Sequence, residues 1–260
     1  MTNAYGTPIW YELVSPDPGA SRTFYDKVLG WEIEAEAPEG MDYRMIATGS
    51  GNVGGVMRLT AEMATGGATP KWLFYIGVED VDATAAAVTA AGGAVLMAPW
   101  SLPGIGRMAV VADPQGIPFY IMRGDSDEAS TAFDGAGIGK CAWNELVTSN
   151  QASANTFYAK LFGWTYPDKM TMSGDLGDYV FVHAADGEIG ATMQRQSPEQ
   201  TLGWQFYFRA PDIEASAAAV RDGGGAVLMG PHEVPGGDRI IVATDPHGVA
   251  FGVVASAVPA

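Results

Sequence analysis

Apolar positions in this chain switch repeatedly between two periods. Over residues 9–14 they alternate, with Trp10, Glu12 and Val14 on one face and Tyr11 and Leu13 on the other, which is the pattern of a strand. Asp17 then stands as an N-cap with Pro18 at the first helical position. Phe24, Tyr25, Val28 and Leu29 recur at helical spacing until Gly30 ends the run. Three short strands are predicted next, over 31–36, 43–47 and 53–59, separated by Gly, Pro and polar turns. The order strand, helix, three strands then comes again. A strand covers 72–78, Asp80 caps an alanine-rich helix ended by Gly92-Gly93, and strands follow over 94–97, 108–112 and 119–122. Asp113-Pro114-Gln115-Gly116 between the last two reads as a type I turn.

The second half repeats this programme at an interval of 133 residues in the first module and 132 in the next. Trp10, Phe24 and Trp31 return as Trp143, Phe157 and Trp164; Gly93 to Met97 returns as Gly225 to Met229; Asp113-Pro114 returns as Asp245-Pro246. Asn150 and Asp212 take the capping positions. Internal repetition on this scale decides the architecture before any single element does. The chain is therefore read as α+β, with one domain over 1–124, an acidic and turn-prone linker over 125–138, and a second domain over 139–260.

Composition narrows the function classes. The 260 residues carry a formal net charge of −16, which repels a phosphate backbone or an anionic membrane, so no nucleic acid or membrane partner is expected. No apolar run reaches the length of about 18 residues that spans a bilayer, and Met1 to Pro8 lacks the basic start and apolar run of a signal peptide, so none is expected. A cytoplasmic location is expected. The single cysteine, Cys141, excludes an intrachain disulfide and is read as a buried thiol.

The Asp17 to Trp31 block with Phe24-Tyr25 and Leu29-Gly30, and the Asp113-Pro114-x-Gly116 turn followed by Phe119, each have counterparts in the second half. On these residues the chain resembles the glyoxalase, bleomycin-resistance and extradiol-dioxygenase superfamily, the vicinal oxygen chelate proteins. The Trp-x-Glu-Leu opening and doubled domain are similar to glyoxalase-like proteins of actinobacterial type, some labelled hydroxylase. The resemblance implies tandem domains, each made of two βαβββ modules whose eight strands curl into a mixed cup. It also implies, in metal-dependent members, a divalent ion on the cup floor. The positions carried over for its ligands are Trp10, Leu73 and Tyr120 in the first half, and Trp143, Gln205 and Gly252 in the second. Indole, isobutyl and glycine offer no donor to such an ion and neutral tyrosine is a poor one, so that Gln205 alone is a plausible ligand. No metal and no other cofactor is therefore expected.

Glu12 and Glu145 lie two residues beyond the first of these positions and are the candidate general bases, with a structural carboxylate as the alternative reading. By the same parity Trp10, Tyr75 and Tyr120, and Trp143, Gln205 and Tyr207, are candidates to line the cups, and an aromatic wall with polar tips suits a planar small molecule. Core packing is the alternative for these rings. Arg107 and Arg239, after matching loops at 99–104 and 231–236, are candidates to clamp an anionic ligand or to form surface ion pairs. The expected function is binding of a small aromatic or amphipathic molecule in a metal-free cup, with or without glutamate-assisted acid/base catalysis. A metal-dependent isomerase, lyase, dioxygenase or hydroxylase is the alternative. A monomer is preferred over a homodimer.

Overall fold

Local sequence decides most elements. Asp17 Oδ1 accepts from the amides of Gly19 (3.0 Å) and Ala20 (3.1 Å), and Gly30 closes the helix in the left-handed region at φ 70°. Asn150 and Gly163 do the same for the matching helix. The computed structural model describes residues 3–38, 40–174 and 176–257. The first half runs β1 (Pro8–Ser15), α1 (Pro18–Leu29), β2 (Glu32–Ile33), β3 (Tyr43–Thr48), β4 (Gly51–Arg58), α2 (Ala61–Thr65), β5 (Lys71–Gly77), α3 (Val81–Ala90), β6 (Ala94–Leu102), β7 (Gly106–Ala112) and β8 (Pro118–Gly124). The second runs β9 (Cys141–Thr148), α4 (Gln151–Phe162), β10 (Lys169–Thr171), β11 (Asp178–Ala184), β12 (Gly187–Gln194), β13 (Gly203–Arg209), α5 (Ile213–Asp222), β14 (Ala226–Glu233), β15 (Asp238–Thr244) and β16 (Ala250–Ser256).

The strands form two eight-stranded mixed sheets of identical topology, β2-β3-β4-β1-β5-β8-β7-β6 and β10-β11-β12-β9-β13-β16-β15-β14, so the α+β class and the βαβββ modules are as the pattern predicts. Within each module the first strand runs parallel to the last, as β1 does to β4 and β13 to β16. The elements depart from prediction in three places. The strand expected over 31–36 shrinks to Glu32–Ile33, because Trp31 turns inward and donates its indole N–H to Gly139 O at 2.6 Å. The runs expected as loops after Met97 and Met229 are strand through Leu102 and Glu233. Their prolines, Pro99 and Pro231, are tolerated because β6 and β14 are the outermost strands, where a missing N–H leaves no ladder bond unmade. The short helix α2, capped by Thr60, has no counterpart in the expectation.

Two compact units divide the chain, and each takes one module from each half. One comprises the residues up to Trp10, Leu73–Ser130 and Trp143–Trp204; the other comprises Tyr11–Trp72, Thr131–Ala142 and the chain from Gln205 onward. In the first unit Tyr158 is fully buried, stacked on Trp164 at 5.0 Å and set against Phe119 and Trp204. Trp204 Nε1 donates to its hydroxyl (3.1 Å), which donates in turn to Asp113 Oδ2 (3.4 Å). Asp113 Oδ1 takes the amides of Gln115 and Ile117, both at 2.9 Å. The second unit contains the same chain of bonds, from Trp72 to Tyr25 (3.1 Å) to Asp245 (3.3 Å), with His247 and Val249 amides on the other carboxylate oxygen. Burial pushes both aspartates above the ordinary carboxylate value despite these donors, and pushes both phenols well above theirs. The residues that repeat most visibly along the sequence are thus the ones that join a module of one half to a module of the other.

Residues of the segment expected as linker form hydrogen bonds within each unit, while most of the segment stays exposed. Ser130 Oγ donates to Ile9 O (2.5 Å) in the first unit. In the second, Gly139 N donates to Arg209 O (2.7 Å), and Arg209 Nε donates to Gly135 O (2.6 Å). Cys141 is buried and forms no disulfide, as expected.

Candidate functional site

β9 alternates as its sequence requires. Asn144 is buried and donates from Nδ2 to Ile189 O at 2.6 Å, which leaves Trp143 and Glu145 on the opposite face. Glu145 is in register with Ala191 of β12, and Ala191 with Phe181 of β11, so a carboxylate, a methyl and a phenyl ring form one row across three strands. Tyr179 stands beside that row. Trp143 Nε1 donates to Tyr179 Oη (2.8 Å), and Tyr179 Oη to Glu145 Oε2 (2.7 Å). Indole N–H is a donor only, so the phenol must accept there and give its own proton to the carboxylate, which fixes the direction of the chain. Trp143 and Tyr179 each meet Phe181 edge-on, at 6.1 and 5.9 Å between ring centres. All four side chains stay partly exposed, unlike Tyr25 and Tyr158, which are fully buried.

The first copy has the same frame and a different content. Glu12 is in register with Gly55 of β4, and Gly55 with Met45 of β3. Tyr43 occupies the position of Tyr179. With no Cβ at Gly55, the Tyr43 ring lies down over it: a methyl there would overlap the ring and hydroxyl of Tyr43. Glu12 is 1% exposed. In the second copy the Ala191 methyl occupies the corresponding spot.

Both tyrosines follow an aspartate that is pinned by cations or hydroxyls. Asp42 receives Arg44 Nε (2.9 Å) and Arg58 Nε (2.7 Å), and Asp178 receives Lys169 Nζ (2.7 Å) and Thr171 Oγ1 (2.8 Å). Hydrogen bonds from Arg44 and from Lys169, respectively, are the main reason both carboxyls lie below their ordinary value. Tyr43 and Tyr179 escaped the sequence reading. The recurring Asp-Tyr dipeptide at 42–43 and 178–179 is the signal that marks them, and an altered loop length hides it from a search at constant interval.

The remaining predicted residues divide by environment. Trp10 and Gln205 are half-buried. Tyr75 and Tyr120 are buried and stacked on each other at 4.0 Å with planes 2° apart, and Trp100 meets Tyr120 edge-on. Tyr207 is buried with its ring against Gly252, where any Cβ would overlap it. Arg107 and Arg239 take the surface option. Arg107 Nη2 and Nε both donate to Asp82, at 2.7 and 2.5 Å, and Arg239 Nη2 donates to Glu214 at 2.8 Å, all with exposed carboxylates. The positions carried over for a divalent ion fit one poorly. They hold an indole, an isobutyl group and a phenol already stacked on Tyr75 in the first half, and an indole, the half-buried Gln205 amide and a glycine under Tyr207 in the second, so one side chain of the six carries a suitable donor. Among the described residues no group of three or more His, Cys, Asp or Glu side chains converges as a metal site. His183 pairs with Glu188 at 3.5 Å, and His247 serves the Asp245 turn through its backbone. No helix among the described residues is long and apolar enough to cross a membrane.

Repeated βαβββ modules in two mixed sheets, with a partly exposed tryptophan on the first strand of each half, define a vicinal-oxygen-chelate type of protein. The model of the Glyoxalase/Bleomycin resistance protein/Dioxygenase superfamily matches residues 8–121 and 137–253, and the chain belongs to that family. It is 31% identical to the "Putative glyoxylase CFP32" of Mycobacterium bovis, over 96% of this chain and 94% of that protein. It is also 31% identical to the "Anthracycline biosynthesis protein DnrV" of Streptomyces peucetius, with the same coverage. Among solved structures it is similar to the Mn(II)-bound glyoxalase from Novosphingobium aromaticivorans (TM-score 0.65, 17% identity, 99% of this chain and 83% of that one). A mutant 4-hydroxymandelate synthase from Streptomyces coelicolor has the same TM-score at 16% identity, over 97% of this chain and 93% of that one.

Proposed function

We propose that the protein binds a small aromatic or amphipathic molecule without a divalent ion, with a glutamate of a first strand available for acid/base work. The observation that carries this reading is the partly exposed trio Trp143, Tyr179 and Phe181 around Glu145, with indole N–H, phenol and carboxylate joined in one directed chain. Aromatic surface supplies affinity for a planar molecule, and the polar tips orient it. The anthracycline biosynthesis relative supports a polycyclic aromatic as the class of ligand. Where the bound molecule carries an acidic C–H beside a carbonyl, its proton passes to a Glu145 oxygen and the electron pair stays on the conjugated ligand. Tyr179 holds the carboxylate in place by donating to Oε2. Indole, isobutyl, phenol and glycine at the carried-over ligand positions, with Gln205 as the single suitable donor, support a reaction or a sequestration that needs no Lewis acid.

Native mass spectrometry of the untreated protein, read with elemental analysis, tests this. A carried-over aromatic ligand with no stoichiometric metal is the expected result. Nickel, zinc, iron or manganese at one equivalent per chain or more would overturn it in favour of a metal-dependent isomerase or dioxygenase.

A further inference from the structure

The two copies of the Trp-x-Glu strand are equal in sequence and unequal in accessibility. We infer that only the second copy meets the ligand, that Glu145 and Tyr179 select a planar aromatic carrying a hydroxyl group, and that Glu12 is structural. The inference rests on the aromatic-ligand reading above and deepens it.

Three observations carry it. Glu12 is 1% exposed, so a ligand could reach its carboxylate only by displacing protein, whereas Glu145 keeps part of its surface open. The neighbours one strand away differ as well: the Tyr43 ring occupies the space a Cβ of Gly55 would fill, whereas a methyl stands at Ala191 and Tyr179 spans β12 to bond to Glu145. The third observation is chemical: Phe181 replaces Met45, so the second copy surrounds its carboxylate with three rings, two of them edge-on to the third.

Carboxylate chemistry then sets the ligand class. An ionised carboxylate only accepts hydrogen bonds, and the phenol beside it already directs its proton at Oε2. A ligand group that adds to this arrangement must therefore be a donor. A hydroxyl on an aromatic ring is the donor that also stacks on indole, and a bond to a charged acceptor is about twice as strong as one between neutral groups. Trp143 acts as a positioning residue, because its N–H is spent on Tyr179 and turns the phenol toward Glu145.

Isothermal titration of the full chain with 2-naphthol and with 2-methoxynaphthalene tests the assignment, the ether having the same ring without the donor. Wild type is expected to favour the naphthol by about tenfold or more, the effect of one hydrogen bond to a charged group. Glu145→Gln and Tyr179→Phe should each bring that ratio close to one while the circular dichroism stays native. Glu12→Gln should keep the ratio and lower the melting temperature. If neither compound binds wild type, the aromatic-ligand reading falls and this inference with it. If naphthol binds but Glu145→Gln and Tyr179→Phe leave the preference intact, or Glu12→Gln abolishes it, only the present inference falls.

Discussion

Residues 10–13 and 143–146 spell nearly the same strand, Trp-Tyr-Glu-Leu and Trp-Asn-Glu-Leu, yet one glutamate is sealed and the other is not. Their backbones are paired alike, Glu12 with Gly55 and Glu145 with Ala191 in parallel ladders of the same register. The contrast comes from the neighbours. Tyr43 lies where a Cβ of Gly55 would sit, whereas Tyr179 spans β12 to reach Glu145 with a methyl present at Ala191, and the residue between the tryptophan and the glutamate differs too: Tyr11 packs edge-on against Phe206 at 5.2 Å, while Asn144 bonds to the β12 backbone. A duplicated motif therefore specifies a position in the fold, and its use depends on side chains supplied by other strands.

The largest expected effect separates the two glutamates by stability. Glu12→Ala removes a buried carboxylate and strands whatever it holds, costing about 2 to 3 kcal/mol, whereas Glu145→Ala at a partly exposed site should cost under about 1 kcal/mol. Urea denaturation of both variants checks this, and equal losses would break the comparison. Where the halves are alike the losses should be alike. Tyr25→Phe and Tyr158→Phe each leave a buried indole N–H and a buried carboxylate oxygen short of one partner, and each should cost about 2 kcal/mol. Gly252→Ala puts a methyl into the Tyr207 ring and should cost about 1 to 3 kcal/mol by overpacking. Gly55→Ala, which meets only the outer end of Tyr43, should cost less and raise the solvent exposure of Tyr43, a change that tyrosine-selective nitration would read.

A smaller effect is pH-dependent. Asp113 and Asp245 have carboxyls raised chiefly by burial, so the folded state holds their protons more tightly than the unfolded chain does. Their contribution to stability is therefore complete below the unfolded value of about 3.9 and is lost as pH rises through the folded values. The stability of wild type relative to Asp113→Asn should therefore fall as pH rises across that acid window, which denaturation midpoints of the two proteins measured in parallel would read. The smallest effect belongs to the surface pairs. Arg107→Met and Arg239→Met should each change stability by less than about 1 kcal/mol and leave ligand affinity unaltered, because exposed ion pairs contribute little.

Much of the fold was legible because it is written in local signals. Asp17, Asp80, Asn150 and Asp212 cap the four long helices where the pattern puts them, and Gly30 and Gly163 end two of these in the left-handed conformation. Strand parity was legible too, as Tyr11 and Glu12, or Asn144 and Glu145, take opposite faces. The site was only half legible. Period-two alternation led to Trp143 and Glu145, but Tyr179 arrives from a strand more than thirty residues later and bonds to both. Aromatic residues at inward positions looked like a wall, yet Tyr75, Tyr120 and Tyr207 are buried against partners that sequence alone does not identify.

The sequence by itself determined the βαβββ module, its fourfold use, the helix caps and the alternation of each strand, since all of these depend on neighbours a few residues apart. Only the tertiary structure decided which modules share an interior. The Phe-Tyr helices and Asp-Pro turns repeat along the chain as if each half were self-sufficient, yet Tyr25 bonds to Asp245 and Tyr158 to Asp113. The physical reason is that a buried phenol needs an acceptor and a buried carboxylate needs donors, and two nearly identical copies offer nearly identical partners. Local pattern fixes what each group requires, and packing of the whole chain selects which copy supplies it.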